Sequence, residues 1–222
     1  MTAVNAATLS ELAALDSCCV SDALDTLGLK GAVAGIRAMW DSPTTMVGRV
    51  RTVTAAPKSA ARPATHIASP LVAVTEPGDV VVIDNHGRTD VSCWGGLLAE
   101  AAVHRKVAGV IVDGACRDVQ DSAALGLPLY ARAAVPVSAR GRIVQQHMDE
   151  PIQIAGVHVE TGDYVVADRN GVAFIPQANL REVVELALRI TARELEMAKA
   201  VRSGRSVQDV MQDSQFPTVT AE

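Results

Sequence analysis

Two short apolar runs, Val80-Val81-Val82-Ile83 and Ala108-Gly109-Val110-Ile111-Val112, bracket a helical run from Leu97 to Lys106. Neither run alternates with polar residues, so each reads as a strand buried on both faces, the signature of a parallel sheet. Parallel neighbours need a crossover of about a dozen residues, which a helix supplies. The stretch 80–112 therefore reads as one βαβ unit and places the chain in the α/β class. The first strand is expected to end at Asp84-Asn85-His86-Gly87. The second ends at Asp113-Gly114, with Arg117, Asp118 and Asp121 just beyond it. Ligands of open α/β sheets bind at the carboxyl ends of such strands.

The flanking sequence is read from that unit outward. Residues 8–28 predict two short helices, the first capped by Thr8 or Ser10 and the second running from Ser21 to Leu27 with Gly28 closing it. Lys30 to Thr45 reads as loop, and Val47 to Thr54 alternates as a strand. Residues 55–64, AAPKSAARPA, have the weakest pattern and read as a mobile loop, with Lys58 and Arg62 able to close over an anionic ligand. A short helix covers 65–74. A helical turn from Asp118 to Leu125 ends at Gly126, and a strand follows at 129–133. Short β segments are expected at 142–146, 152–154, 157–159, 164–167 and 172–176, with Asn170-Gly171 as a hairpin turn. From Gln177 to Ser203 an amphipathic helix carries Leu180, Val183, Val184, Ala187, Ile190 and Leu195 on one stripe. The division is a single domain over 1–204 and a loosely held tail over 205–222.

Composition narrows the function. Apolar residues make up 49% of the chain but aromatics only 3%, so the core must be built mainly from Ala, Val, Leu and Ile. The net charge is −5, and no Lys/Arg block could follow a phosphate backbone, so nucleic acid is not an expected partner. No apolar run approaches the ~18 residues of a membrane span, and the N-terminus lacks the pattern of a secretion signal. A cytoplasmic protein is expected. Cys18, Cys19, Cys93 and Cys116 match no zinc knuckle and no Cys-x-x-Cys pair, and read as reduced, packed thiols.

The chemistry-bearing residues cluster between Trp94 and Asp121. Gly95-Gly96-Leu97-Leu98 open a helix, where unpaired backbone N–H groups and the helix dipole suit an anion. Arg117 can grip a carboxylate or an oxyanion. Asp118 and Asp121 share one face of a helix start and could hold a hard cation such as Mg²⁺ or Mn²⁺, which accepts one or two carboxylates plus water and substrate oxygens. Each feature also has a structural alternative: a tight turn, an ion pair of Arg117 with Asp113 or Asp118, and dipole pairing at a helix start. Competing chemistries lack parts. The five histidines show no zinc-type pair, no Gly-x-Ser-x-Gly elbow or phosphate loop occurs, and none of the four lysines sits in an apolar strand.

The pattern Gly96, twenty residues, Arg117-Asp118, two residues, Asp121 resembles the signature of the metal-dependent RraA-like proteins, named for the regulator of ribonuclease activity A. Val20-Ser21-Asp22-Ala23-Leu24, Pro77-Gly78-Asp79-Val80, Val112-Asp113-Gly114, Gly162-Asp163 and the segment 168–176 extend the resemblance over residues 18–204. It implies an α/β/β/α swivelling-domain fold with a long C-terminal helix, assembled as a homotrimer or homohexamer. It also implies a divalent-metal-dependent aldolase of the class II type that cleaves a 4-hydroxy-2-oxo acid to pyruvate, with oxaloacetate decarboxylation as a side activity. By position, the backbone of Gly95, Gly96, Leu97 and Leu98 would bind the carboxylate of a small 2-keto acid. Arg117 would contact its oxygens, Asp118 would hold Mg²⁺ or Mn²⁺, and Asp121 would support the metal's water shell. The proton would be moved by a water that Asp121, or a glutamate such as Glu194 of a neighbouring chain, orients. Some aldolases of the family carry an acidic residue where this chain has Gly96. The other function the family implies is a non-catalytic regulator of ribonuclease activity that acts by protein–protein binding.

Overall fold

The computed structural model describes residues 6–61, 65–212 and 216–220. Two helices, α1 (Ala6–Leu12) and α2 (Ser17–Thr26), open the chain, followed by two-residue strands β1 (Ala32–Val33) and β2 (Arg37–Ala38). Then come β3 (Met46–Pro57), α3 (Ser69–Val74), β4 (Asp79–Ser92), α4 (Gly96–His104), β5 (Gly109–Cys116), α5 (Val119–Ala124) and β6 (Leu129–Ala134). Five strands follow: β7 (Ile143–Met148), β8 (Ile152–Ile154), β9 (Val157–Val159), β10 (Tyr164–Ala167) and β11 (Val172–Ile175). A 3-10 turn leads into the long α6 (Leu180–Arg202), and α7 (Val207–Val210) ends the series.

The main sheet has the order β1-β11-β10-β3-β4-β5-β6-β2, with β7 on β3, while β8 and β9 form a separate hairpin. The neighbours β3–β4, β4–β5 and β5–β6 are parallel; the other pairings are antiparallel. The expected βαβ unit is thus present, with Val80 opposite Gly109 and Ile83 opposite Val112.

Period-two alternation sorts the side chains into three apolar layers. In β4, Val81 and Ile83 face a core shared with α3 and α4, through Leu71, Leu98, Ala99 and Ala102. Val80 and Val82 face the opposite way, toward β8–β9 and one side of β10–β11, where they meet Ile154, Val159 and Phe174. The other side of β10–β11 carries Val166 and Ile175, which pack under α1, α2 and α6. Helix, sheet, sheet, helix is therefore the stacking order, as expected. Because aromatics are scarce, Val and Ile fill most of the middle layer, and Phe174 is its largest apolar side chain besides Tyr130.

Several boundaries differ from the sequence reading. The second helix starts at Ser17, not Ser21, because Asp16 caps it by accepting from the Cys19 amide at 2.7 Å, and Ser17 is tied to Asp168. Two short strands interrupt the segment expected to be loop throughout Lys30–Thr45. They are recruited by the sheet edges, β1 by β11 and β2 by β6. β3 runs on to Pro57, since β7 pairs with Ala55, Ala56 and Pro57, so the first part of the 55–64 stretch is strand and not loop. Arg62 lies outside the described residues. The tail is also less free than expected: Val210 is buried, and Arg193 and Arg189 of α6 donate to the carbonyl oxygens of Phe216 and Thr220.

The correction that matters most concerns β4, which does not stop at Asp84. It bows outward over residues 85–91 and returns, so that Asp84 pairs with Asp113, Arg88 with Gly114 and Ser92 with Ala115. Asn85, buried, donates to the carbonyls of Arg88 and Val91 across the bow, and Gly87 supplies a φ of 70° at its turn. The detour brings Ser92 back level with the end of β5.

Two outcomes test this packing. Replacing Phe174 by alanine empties the middle layer and is expected to destabilise by about 3–5 kcal/mol in urea denaturation. The Arg51 guanidinium, bonded twice to Asp149, holds that carboxyl below its ordinary value. Its ionised form therefore stabilises the fold above the unfolded-chain value of about 3.9, and the contribution is lost as pH falls through the lower folded value. Asp149→Asn should flatten the acid limb of the stability profile below about pH 4 while leaving its shape near neutrality.

Candidate active site

The returning strand builds the site. Ser92 is anchored by donating, through its amide at 2.9 Å and its hydroxyl at 2.7 Å, to the Val137 carbonyl. The next residues run alongside the end of β5: the Cys93 amide donates to Ala115, and the Arg117 amide donates to Trp94. Gly95 and Gly96, which start α4, thereby lie against Arg117, Asp118 and Asp121, which lead into α5. The Gly96 amide donates to Asp118 Oδ2 at 2.9 Å, and Arg117 Nε lies 3.3 Å from the same oxygen.

Both glycines leave room for neighbouring side chains. A Cβ on Gly95 would sit 2.8 Å from Asp118 Oδ2 and 3.1 Å from Arg117 Nε, and a Cβ on Gly96 would overlap Asp121 Oδ2. The space that an acidic side chain at position 96 would enter is filled here by the Asp121 carboxylate. Asp118 adopts φ 53°, ψ 43°, a left-handed conformation that Asp tolerates better than most residues.

The structure brings Gly95 to Leu98, Arg117, Asp118 and Asp121 together. It also shows how each is used. The amide of Gly96 is taken by Asp118, and that of Leu98 donates to Gly95 at 3.1 Å. Among the described residues the amides of Gly95 and Leu97 have no partner. Arg117 pairs with Asp118 and not with Asp113, which is buried and engaged by Arg132 and the Ala155 amide. Asp118 Oδ1 has no partner among the described residues, and both Asp118 and Asp121 are exposed. Among the described residues no group of three or more His, Cys, Asp and Glu could hold a metal. Glu194 lies on α6, in the helical layer on the other side of the sheets, where it accepts from Cys19 Sγ.

A cavity of about 590 Å³ opens beside this constellation. Ser92 to Leu98, Ala101 and Arg117 form one part of its lining, His66 and Ser69 another, and Ser138 to Arg140 a third. Asp118 and Asp121 border it without lining it, and Lys58 does not reach it. His66, Ser69, Ser138 and Arg140 were not visible as site residues in the sequence, since they sit in segments without pattern or motif. Trp94 is buried, and its indole N–H has no partner among the described residues. Cys93, also in the lining, and its neighbour Cys116 are buried; burial pushes both thiols up, Cys116 to about 11, so neither is a ready nucleophile at neutral pH. Cys19 is buried as well, whereas Cys18 is exposed, and all four cysteines are free thiols. No helix among the described residues is long and apolar enough to cross a membrane.

Comparison with known proteins gives one consistent picture. Residues 17–174, more than half of the chain, match the family described as RraA-like, Aldolase/RraA. Protein DlpA of Legionella pneumophila is 30% identical over 205 residues, covering 92% of this chain and 33% of DlpA. A 4-hydroxy-4-methyl-2-oxoglutarate aldolase of Thermus thermophilus is 32% identical over 100 residues, covering 45% of this chain and 60% of the relative. The match thus spans a third of the length of DlpA and three fifths of the aldolase. Among solved structures, an uncharacterised protein from Pseudomonas syringae superimposes with a TM-score of 0.87 at 29% identity, covering 94% of both chains.

The backbone at Asp118 provides a test of the geometry that needs no ligand. Asp118→Asn keeps an acceptor for the Gly96 amide and a side chain that tolerates positive φ. Asp118→Val keeps neither, and a β-branched residue there should be less stable than the asparagine variant by about 1–2 kcal/mol in urea denaturation.

Proposed function

We propose that this chain, which belongs to the RraA-like family, is a divalent-metal-dependent lyase that cleaves a 4-hydroxy-2-oxo acid and releases pyruvate. One observation carries the reading. At two adjacent strand ends, a guanidinium, a carboxylate with a free oxygen and two unpartnered helix-start amides meet beside one cavity. The name of the Thermus relative, an aldolase for such an acid, supports it.

The donor set fits a hard cation. Asp118 offers one free oxygen and Asp121 stands three residues on, both of them hard oxygen donors. Mg²⁺ and Mn²⁺ accept so few protein ligands because they keep several waters and take further oxygens from the substrate. Asp118 would hold the cation and Asp121 would hold its water shell. When bound, the cation supplies Lewis-acid polarisation of the 2-oxo acid.

The chain's own residues do the rest. The amides of Gly95 and Leu97 receive the substrate carboxylate at the positive end of α4. The terminal nitrogens of Arg117, free of acidic partners, donate to the 2-oxo oxygen. When the bond between C3 and C4 breaks, its electron pair moves into an enolate, and negative charge grows on that oxygen. The bond from Arg117 therefore strengthens toward the transition state, which is what lowers the barrier. Asp121, directly or through water, takes the proton of the C4 hydroxyl as the new carbonyl forms. Protonation of C3 then completes pyruvate. Loss of CO₂ from oxaloacetate passes through the same enolate and uses the same stabilisation by Arg117, but with no C4 hydroxyl it needs no base there. A homotrimer or homohexamer in the cytoplasm completes the reading; Leu97, 87% exposed at the start of α4, is a surface such an assembly would cover.

Assay of pyruvate release from oxaloacetate and from 4-hydroxy-4-methyl-2-oxoglutarate should show turnover that EDTA removes and Mg²⁺ or Mn²⁺ restores. Asp118→Ala should abolish it. Arg117→Ala should lower kcat by about 10²–10³, the loss typical of one donor to a developing oxyanion. Absence of metal-dependent turnover across a panel of 2-oxo acids overturns the proposal.

A further inference from the structure

A cleavage that leaves an enolate ends with a proton added to C3. The group that delivers it must face the cavity and exchange protons near neutral pH. Among the described residues that line the cavity, His66 alone is of that kind. The lining has no aspartate, glutamate, lysine or tyrosine. Arg117 and Arg140 keep their protons near neutrality, and burial pushes the Cys93 thiol up, away from that range. Asp121 borders the cavity without lining it. The geometry of His66 suits the task. Its Nδ1 lies 3.0 Å from the Ile67 carbonyl oxygen. A carbonyl only accepts, so Nδ1 carries a proton, and in the neutral ring Nε2 is the basic nitrogen. Nε2 has no partner among the described residues. The side chain is exposed, yet the backbone beneath it is held. Ile67 and Ala68 are buried, and Gln145 of β7 grips the segment twice, accepting from the Ala68 amide at 3.0 Å and donating its own amide to the Thr65 carbonyl at 3.1 Å. Ala68 adopts a φ of 61°, a conformation that a residue with a Cβ keeps only where its surroundings enforce it, and such residues cluster at functional sites.

We propose that His66 is a catalytic acid–base of this chain and supplies the proton that turns the enolate into pyruvate. The assignment rests on the lyase reading and names the donor that reading leaves open. Asp121 takes the proton of the C4 hydroxyl, and the electron pair of the C3–C4 bond enters the enolate. The carbonyl at C2 then re-forms while C3 takes the Nε2 proton of the His66 imidazolium, which closes the new C–H bond and leaves a neutral ring. That ring regains a proton from solvent through its exposed edge, and Asp121 gives its proton up, so none is gained or lost overall. After loss of CO₂ from oxaloacetate the same ring protonates the same carbon. Run backwards, neutral Nε2 removes a hydrogen from the methyl group of pyruvate. Pyruvate alone should therefore exchange its methyl hydrogens with water at this site, without any carbon–carbon bond being broken.

The test follows deuterium entering the methyl group of pyruvate in heavy water, by proton NMR on the full chain with Mg²⁺ present. His66→Ala should slow this exchange by about 10²-fold or more, the usual contribution of a positioned acid–base. Added imidazole should restore part of the rate, because it can enter the space that the side chain vacates. The affinity for oxalate and the melting temperature should stay close to those of the wild type, and His66→Gln should behave as the alanine variant does but without rescue. A readout that needs neither metal nor turnover is the nitrogen-15 spectrum of the free chain, in which the signals lost in His66→Ala should report a neutral ring protonated on Nδ1. Exchange as fast in His66→Ala as in the wild type overturns the assignment and leaves the lyase reading standing. So does a slow variant that imidazole does not rescue and that has lost oxalate binding, or a neutral ring protonated on Nε2. A wild type that neither exchanges pyruvate hydrogens nor cleaves any 2-oxo acid removes the lyase reading and this assignment together.

Discussion

The hydrogen bond from the Gly96 amide to the Asp118 carboxylate joins the beginning of one helix to the end of the neighbouring strand, and the site depends on it. A backbone amide donating to a carboxylate is among the stronger hydrogen bonds a helix start can make. The bond has little tolerance. It requires the strand ends to lie within ladder distance, which the Cys93–Ala115 and Arg117–Trp94 backbone bonds enforce. The space is tight around both glycines: Asp118 and Arg117 crowd Gly95, and the Asp121 carboxylate would have to move aside for a side chain at Gly96. The Gly-Gly pair thus lets carboxylate and guanidinium side chains lie close against the backbone of this turn.

Much of the scaffold could be read from the chain. Strands buried on both faces lack alternation, which made β4 and β5 recognisable, and Asn170-Gly171 marked the β10–β11 hairpin correctly. The stripe on α6 placed the long helix to within three residues at its start. The bow in β4 could not be read. It is set by Asn85 bonding across the turn to Arg88 and Val91, and by register shifts against β5 on either side of Arg88, which pairs with Gly114 before Ser92 pairs with Ala115. The continuation of β3 to Pro57 depends on β7, some 90 residues later, and a local pattern cannot report such a partner.

The same division runs through the site. Residues 94–98 follow the first strand of one βαβ unit and residues 117–121 follow its second, so their proximity follows from the pairing of the two strands. His66, Ser69 and Ser138 to Arg140 reach the cavity through long-range bonds from Ser92 and Gln145, and their own sequence contains no motif. Local signals thus revealed the half of the cavity that would hold the acid and its cation. The half that carries His66 was visible only after the fold was built.

Charge allocation connects the two halves. Among the described residues, two of the buried acids are matched by arginines, Asp79 by Arg49 and Arg51 and Asp113 by Arg132, as is the partly buried Asp149 by Arg51, while Asp84 and Asp163 accept backbone amides. These pairs leave little field at the cavity, whose lining retains Arg117 and Arg140 with no acid among them. Arg117 is the exception, since it shares Asp118. A divalent cation on Asp118, as proposed, would compete with that guanidinium for the same carboxylate and release it toward the cavity. A 2-oxo acid would then meet a freed guanidinium and a polarising cation together, so occupancy by one favours the other. By linkage the coupling is reciprocal: the bound acid must raise the affinity for the metal by the factor by which the metal raises the affinity for the acid.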